Sequence, residues 1–363
     1  MRVAVLGVGL IGGSIGLASS RRLDARVAGY DPDPANLERG LELGALTDVA
    51  ASTAEACVGA DVIFCAAPVG ALPGLAAEAL AASGPDAVVS DVGSTKRQLV
   101  AELSGGQDGE RFIGGHPLAG AETSGVENAR AELFDGARWY LTPTEGSSGV
   151  HYDRLQRAIG GLGARPQAID AGSHDRVMAT VSHLPHVLAD VLVSQAAASL
   201  AEDGERMPEV GPSFRDTTRV AGANPAMWRD ILVANRDAVA DEIDAVVARL
   251  NEAAGLLRSA EPTAIESWHR GARDDRRRLL DAGVAGGPVT ELRIVVDNRP
   301  GTVAEIALAL GRAAVNIEDM ALYPASDMSS GAVSLWIAGE GEAERAVEVV
   351  RELGHAVTLA AES

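Results

Sequence analysis

A chain of 363 residues, 47% of them hydrophobic, can bury a sizeable core and suggests two or three domains. Its formal charge of −20 argues against nucleic acid or an anionic membrane as partner, but not against an anionic substrate met by a few placed arginines. The two cysteines, Cys57 and Cys65, sit in small apolar surroundings as buried thiols of a reducing compartment, and no signal peptide is apparent. The most apolar window, Ile63 to Ala82, is interrupted by Pro68 and Pro73, so no membrane span is expected and the location reads as cytoplasmic.

Residues 2–6 read as a short buried strand, followed by Gly7-Val8-Gly9-Leu10-Ile11-Gly12-Gly13-Ser14 and an apolar helix. A strand, G-x-G-x-x-G and a helix in that order is the setting in which the pattern binds a dinucleotide. Gly7 makes the tight turn, Gly9 lets backbone approach the pyrophosphate, and Gly12 permits close helix packing. The helix start, with Leu10 and Ile11, offers unpaired N–H groups to phosphate. A second strand, Arg26 to Tyr30, ends in Asp31, where a carboxylate grips a ribose 2′-hydroxyl and repels a 2′-phosphate. Pro32, Asp33 and Pro34 follow with no arginine, so NAD is expected rather than NADP.

Strand-like and helical runs then alternate: Asp61 to Ala66, a helix from about Val69, Ala87 to Ser90, a helix from about Thr95. In such sheets ligands lie beyond the carboxyl ends of the strands. Ala66-Ala67-Pro68 is placed on the nicotinamide side, and Asp91 to Lys96 sets Ser94, Thr95 and Lys96 at a helix start. Ser94 or Thr95 there is equally an N-cap. Lys96 is the only lysine of the chain, and it reads either as a substrate-side charge or as part of a helix terminus.

The next run is Phe112-Ile113-Gly114-Gly115-His116-Pro117-Leu118-Ala119-Gly120, with Glu122 close behind. Proline pushes the preceding residue towards an extended conformation, which holds His116 at a strand end on a loop that the glycines let pass close to a ligand. A histidine so placed suits a general base; alone, it is also a turn histidine that caps a strand. Arg138 to Thr142, a helix over 149–161 and a strand from Arg165 to Ile169 complete a Rossmann-like α/β domain over 1–171.

From Gly172 the pattern is helical, with no strand signal through about Leu280, giving an all-helical domain over 172–282. Ser182-His183-Leu184-Pro185-His186 puts two histidines three apart; without H-E-x-x-H or a nearby cysteine it is a poor metal site, and no metal is expected. Arg215 and Arg219, ahead of Asn224-Pro225-Ala226-Met227-Trp228, read as a bidentate carboxylate site or as surface pairs of Asp216 or Asp230. After a linker over 283–288, residues 288–363 run strand, helix, strand, strand, helix, strand: a small ferredoxin-like domain.

With these pieces placed, the chain resembles the prephenate/arogenate dehydrogenases of tyrosine biosynthesis with a C-terminal ACT domain. The resemblance rests on the glycine loop, Asp91 to Lys96, Gly114 to Val126, Ser182 to His186 and Arg219 to Trp228. It implies NAD-dependent oxidative decarboxylation of prephenate, or of arogenate, with His116 as base and Ser94 beside it. It further implies that Arg219 holds a substrate carboxylate, that Ser182, His183, His186, Lys96 and Glu122 line or flank the pocket, and that the protein is a homodimer. Asp297-Asn298-Arg299-Pro300-Gly301 with Asn316-Ile317 is similar to the ACT amino-acid site, which makes tyrosine the expected effector. The β-hydroxyacid dehydrogenases use a lysine from their helical part, and this helical part has none. A non-catalytic NAD-binding sensor of amino acids would need Asp31 but not His116, His183 and Arg219 together.

Overall fold

The computed structural model describes residues 1–106, 108–119, 123–202, 210–281, 289–297, 299, 301–324 and 330–359. Its contacts divide the chain into two units, Met1–His174 with Gly287–Ser363, and Asp175–Gly286. The expected linker over 283–288 lies outside the described residues.

The first unit starts with five parallel strands. These are β1 (Arg2–Leu6), β2 (Arg26–Tyr30), β3 (Asp48–Val49), β4 (Val62–Cys65) and β5 (Val88–Asp91), in the order β3-β2-β1-β4-β5. The connecting helices are α1 (Leu10–Leu23), α2 (Pro34–Glu42), α3 (Thr53–Cys57), α4 (Leu72–Ala82) and α5 (Arg97–Ser104). Buried on both faces, β4 reads as a continuous apolar run and β1 does so after Arg2, as parallel strands flanked by helices do, while the equally buried β5 ends in the polar Ser90 and Asp91. All five carboxyl ends share one edge.

The alternation does not continue as one parallel sheet. β6 (Gly114–Pro117), β7 (Arg138–Thr142) and β8 (Arg165–Ala168) form a second sheet in that order. β6 runs antiparallel to β7, while β7 and β8 are parallel with α6 (Gly149–Gly161) between them in sequence. A parallel bridge from Val89 to Phe112 aligns β6 with β5, so the carboxyl end of β6 reaches the same edge as β1 to β5. His116 therefore lies within a strand, not on a loop beyond one, and faces Tyr140 across the ladder. Gly114 and Gly115 serve the packing: a Cβ on Gly114 would lie 2.4 Å from Thr142 Oγ1, and one on Gly115 2.6 Å from the Asp91 carbonyl.

The helical segment opens with α7 (Ala171–Met178), a π turn over Ala179–His183 and α8 (Leu184–Glu202). Pro185 has no N–H to give to an i−4 carbonyl, which favours a widened turn at this place. Then follow α9 (Pro212–Thr218), a 3₁₀ turn over Arg219–Gly222, α10 (Pro225–Ala234), α11 (Arg236–Ser259) and α12 (Pro262–Asp281). Asn224 starts α10 as its side chain accepts from the N–H groups of Ala226 and Met227, with Pro225 in the first turn. The stretch Ala171–Ser199 is long and apolar enough to cross a membrane by length and composition, yet only 28% of its most apolar window is buried in the chain. Val191, Val233, Leu250 and Leu257 are among the apolar side chains more than half exposed here.

The carboxyl-terminal part runs β9 (Val289–Asp297), α13 (Thr302–Arg312), β10 (Ile317–Pro324), β11 (Ser330–Ala338), α14 (Glu340–Glu352) and β12 (Ala356–Leu359). Its antiparallel sheet has the order β10-β11-β9-β12, the ferredoxin-like arrangement. It does not stand apart as a third body. Val303, Ile306 and Leu310 of α13 share one core with Leu141, Leu155 and Ala168 of the first part. Glycines make the seam close: Cβ atoms on Gly301 and Gly311 would sit 2.1 Å from the carbonyls of Glu145 and Ala168, and one on Gly149 2.9 Å from Val303.

Candidate active site

The glycine loop is built as its spacing requires. Gly7 has φ +100°, a left-handed conformation, and a Cβ there would lie 2.3 Å from the Ala66 carbonyl at the end of β4. A Cβ on Gly12 would lie 1.9 Å from the carbonyl of Gly7, so α1 starts hard against the turn. Gly9 differs: nothing lies within 4 Å of where its Cβ would be. Its bareness serves no internal contact and keeps room for a ligand against backbone. No side chain caps α1 and no acidic residue stands in its first turn, which leaves the helix N-terminus, with Leu10 and Ile11, suited to a pyrophosphate.

Asp31 closes this cradle. One carboxylate oxygen accepts from the Val8 N–H at 2.7 Å; the other accepts from the Asp33 N–H at 2.9 Å and from Asn36 Nδ2 at 3.1 Å. The carboxylate thus organises the loop at the carboxyl end of β2. Ala67 and Pro68 follow β4 on the same edge. A loop open at Gly9, an uncapped helix start and an acidic end to β2 together fit NAD.

The loop after β5 corrects one expectation. Neither Ser94 nor Thr95 caps α5; Lys96 occupies the cap position, without a side-chain cap bond. Lys96 is fully buried and paired with the equally buried Asp91, an arrangement that fits its reading as part of a helix terminus. The Asp91 carboxylate also accepts from the Gly93 N–H at 2.7 Å and the Gly115 N–H at 3.0 Å. This explains the lone ammonium: it neutralises the carboxylate that anchors the residue next to His116. Ser94 is half-buried in the same loop.

His116 is 9% exposed, and its Nδ1 lies 2.9 Å from Nε2 of His174, a residue of α7 that is fully buried. The rings meet edge-on at 5.1 Å, and the Tyr140 ring meets His174 edge-on at 5.6 Å. No motif pointed to His174; as the opening of a helix after β8 it had only a structural reading.

In the second unit His183 and His186 do come together, around Trp228. His186 stacks on the indole at 3.5 Å between centroids, and His183 meets it edge-on at 5.9 Å. Asn235, fully buried, donates from Nδ2 to the Asp175 carbonyl at 2.7 Å, which fixes its amide, and the same nitrogen lies 3.1 Å from His183 Nδ1. His183 Nδ1 is thereby the acceptor, and the proton of its neutral ring sits on Nε2. His186 donates from Nδ1 to the Ser182 carbonyl at 3.1 Å. His183 closes the π turn, a feature often found at functional sites. Arg219 is exposed at the start of its 3₁₀ turn, while Asp230 is paired with Arg229. Asn235 stands out in the sequence only beside Arg236, in the stretch that follows Arg219, and no spacing links it to His183.

Glu122, Asn298 and Pro300 lie outside the described residues. Of the other residues expected to regulate, Ile317 is buried in the core and Gly301 packs on Glu145. Asn316 is half-buried.

Residues 15–167 match the family described as prephenate dehydrogenase, nucleotide-binding domain, and residues 170–270 match prephenate dehydrogenase, dimerization domain. The prephenate dehydrogenase of Bacillus subtilis is 29% identical over 355 residues, covering 96% of this chain and 95% of its own length. The crystal structure of the Aquifex aeolicus enzyme with hydroxyphenyl propionate and NAD+ superposes with a TM-score of 0.69 at 30% identity, over 77% of this chain and 98% of that one. Synechocystis arogenate dehydrogenase gives a TM-score of 0.64 at 26% identity, over 77% and 100%. With its NAD cradle, its His116 strand and its helical segment each accounted for, the chain belongs to the prephenate dehydrogenase family of NAD-dependent oxidoreductases.

Proposed function

We propose that this protein catalyses the NAD-dependent oxidative decarboxylation of prephenate to 4-hydroxyphenylpyruvate. The observation that carries the reading is His116, fixed in β6 at the sheet edge shared by the glycine loop and Asp31. NAD, when bound, supplies the hydride acceptor. His116 takes the proton of the ring hydroxyl, and neutral imidazole does so without setting a cation against the nicotinamide. Ser94 assists at the same hydroxyl, and Arg219 holds a substrate carboxylate, with Ser182, His183, His186 and Glu122 as further substrate contacts. Family membership and the resemblance in motifs support these roles.

The test is prephenate-dependent NADH formation by the purified protein. His116→Asn lowers turnover about 10²–10⁴-fold with NAD binding kept; wild-type turnover in that variant removes His116 from the chemistry. The Synechocystis relative supports arogenate as the second reading, and the ratio of kcat/KM for the two substrates decides.

The protein acts as a cytoplasmic homodimer. Among the described residues, the second unit buries few apolar side chains, Met178, Leu184, Ile231 and Val239 among them, and leaves many exposed. Such a face is covered in an assembly. Tyrosine is the proposed effector. A cavity of about 230 Å³ between the ferredoxin-like part and α6 offers apolar walls (Val296, Leu322, Val333) and charged groups (Glu110, Asp297, Arg299) for its ring and its zwitterion. Filling the cavity with Ala332→Phe then abolishes tyrosine inhibition while uninhibited turnover persists. Inhibition that survives, and that prephenate competes away, refutes this.

A further inference from the structure

His174 carries more than packing. Its ring is fully buried, and its Nε2 meets His116 Nδ1 at 2.9 Å, a hydrogen-bond distance between two groups that each hold at most one proton at the shared position. Its backbone is fixed as firmly. The His174 N–H donates to the Asp170 carbonyl at 2.9 Å, and the Asp170 carboxylate accepts from the Ser173 N–H at 2.9 Å, so the ring stands on the capped first turn of α7. Tyr140, the cross-strand partner of His116, closes the other side of the ring.

Only one nitrogen of the pair can donate. When His174 donates, neutral His116 must carry its own proton on Nε2, and a nitrogen that already bears a proton cannot take one from a hydroxyl. When His116 donates from Nδ1, its Nε2 keeps the lone pair that a base needs. The donor role of Nδ1 is also the same before and after proton transfer, because imidazolium is protonated at both nitrogens. His174 thus need not change as His116 gains a proton.

We propose that His174 is a positioning residue that accepts the Nδ1 proton of His116 and thereby fixes both the ring and the tautomer in which Nε2 is basic. The inference rests on the reading of His116 as the base. A neutral imidazole does this work where a carboxylate would bury a negative charge and draw His116 towards imidazolium before a substrate arrives.

His174→Phe keeps the ring and its edge contact with Tyr140 but removes the acceptor; His174→Gln restores a hydrogen-bonding atom at about the reach of Nε2. The Phe variant is expected to lose about 10–100-fold in kcat, the range for partners that orient a functional histidine, with KM for prephenate and NAD within about twofold. The Gln variant is expected to recover most of the loss. Long-range ¹H–¹⁵N spectra of the histidine rings in the wild-type protein, with the His116 signal identified by its loss in His116→Asn, are expected to show Nδ1 protonated and Nε2 bare. A wild-type His116 protonated on Nε2 overturns the proposal whatever the variants do. So does an inactive His116→Asn alongside a fully active His174→Phe. Full turnover in His116→Asn overturns instead the reading of His116 as base.

Discussion

Lys96→Met removes the ammonium from a pair in which both side chains are fully buried, and leaves the Asp91 carboxylate charged in the interior. Breaking a buried pair from one side costs about 3–5 kcal/mol. Asp91 keeps the Gly93 and Gly115 N–H groups, so the lower end applies: about 3 kcal/mol, or roughly two orders of magnitude in the folding constant. With a urea dependence of about 3 kcal/mol per molar, the unfolding midpoint of the first unit falls by about 1 M. Turnover falls as well, since Gly115 hangs on the same carboxylate and His116 is its neighbour. Adding Asp91→Asn removes the stranded charge and regains part of the loss; the amide has one acceptor oxygen for two N–H donors, so recovery is incomplete. The assay is equilibrium urea unfolding of the single and double variants beside the wild type. A midpoint for Lys96→Met within about 0.2 M of wild type would refute the argument. A double variant no more stable than the single one would assign the loss to missing methylene packing and not to charge.

Three further outcomes follow from the same structure. Asp31→Ala weakens NAD and narrows its advantage over NADP; an unaltered ratio of the two dissociation constants refutes the ribose role. Burial holds the His151 imidazole below its usual range, only partly offset by its hydrogen bond to the Pro85 carbonyl. With a folded pKa below the unfolded one of about 6.5, its contribution to stability is complete above that value and is lost as pH falls through the window beneath it. Urea midpoints should therefore drop less for His151→Gln than for wild type between about pH 6.5 and 5, and parallel curves would refute the assignment. Burial pushes the Cys57 thiol up to about 11 and holds the Cys65 thiol well above its usual range, and neither is exposed, so thiol reagents should label both only after denaturation.

What the sequence disclosed was what local rules govern. The glycine loop, Asp31 and the run Arg138 to Thr142 are read from spacing and apolar pattern because turn geometry and strand burial depend on near neighbours. β6 was misread as a loop because Gly-Gly-His-Pro has little strand propensity; pairing with β7 and the Asp91 carboxylate supply what the residues lack. β3, two residues long, leaves no period to find. His174 lies 58 residues from His116, and no periodicity encodes a contact at that distance. Lys96 stood out by being alone, yet its partner five residues back was legible only once both were seen to be buried. The order of elements after Val289 was clear, whereas the face of α13 that meets β8 and α6 was not.

That seam has a mechanical consequence. Where Gly311 meets the Ala168 carbonyl, no side chain stands between the two backbones to yield when one of them moves. Ala168 is paired with Leu141 on β7, and the neighbouring Tyr140 with His116 on β6. Two strand spacings, roughly 10 Å, separate α13's foothold from the imidazole. α13 is thus seated backbone to backbone on the sheet that carries His116, with no side chain as a cushion at that point.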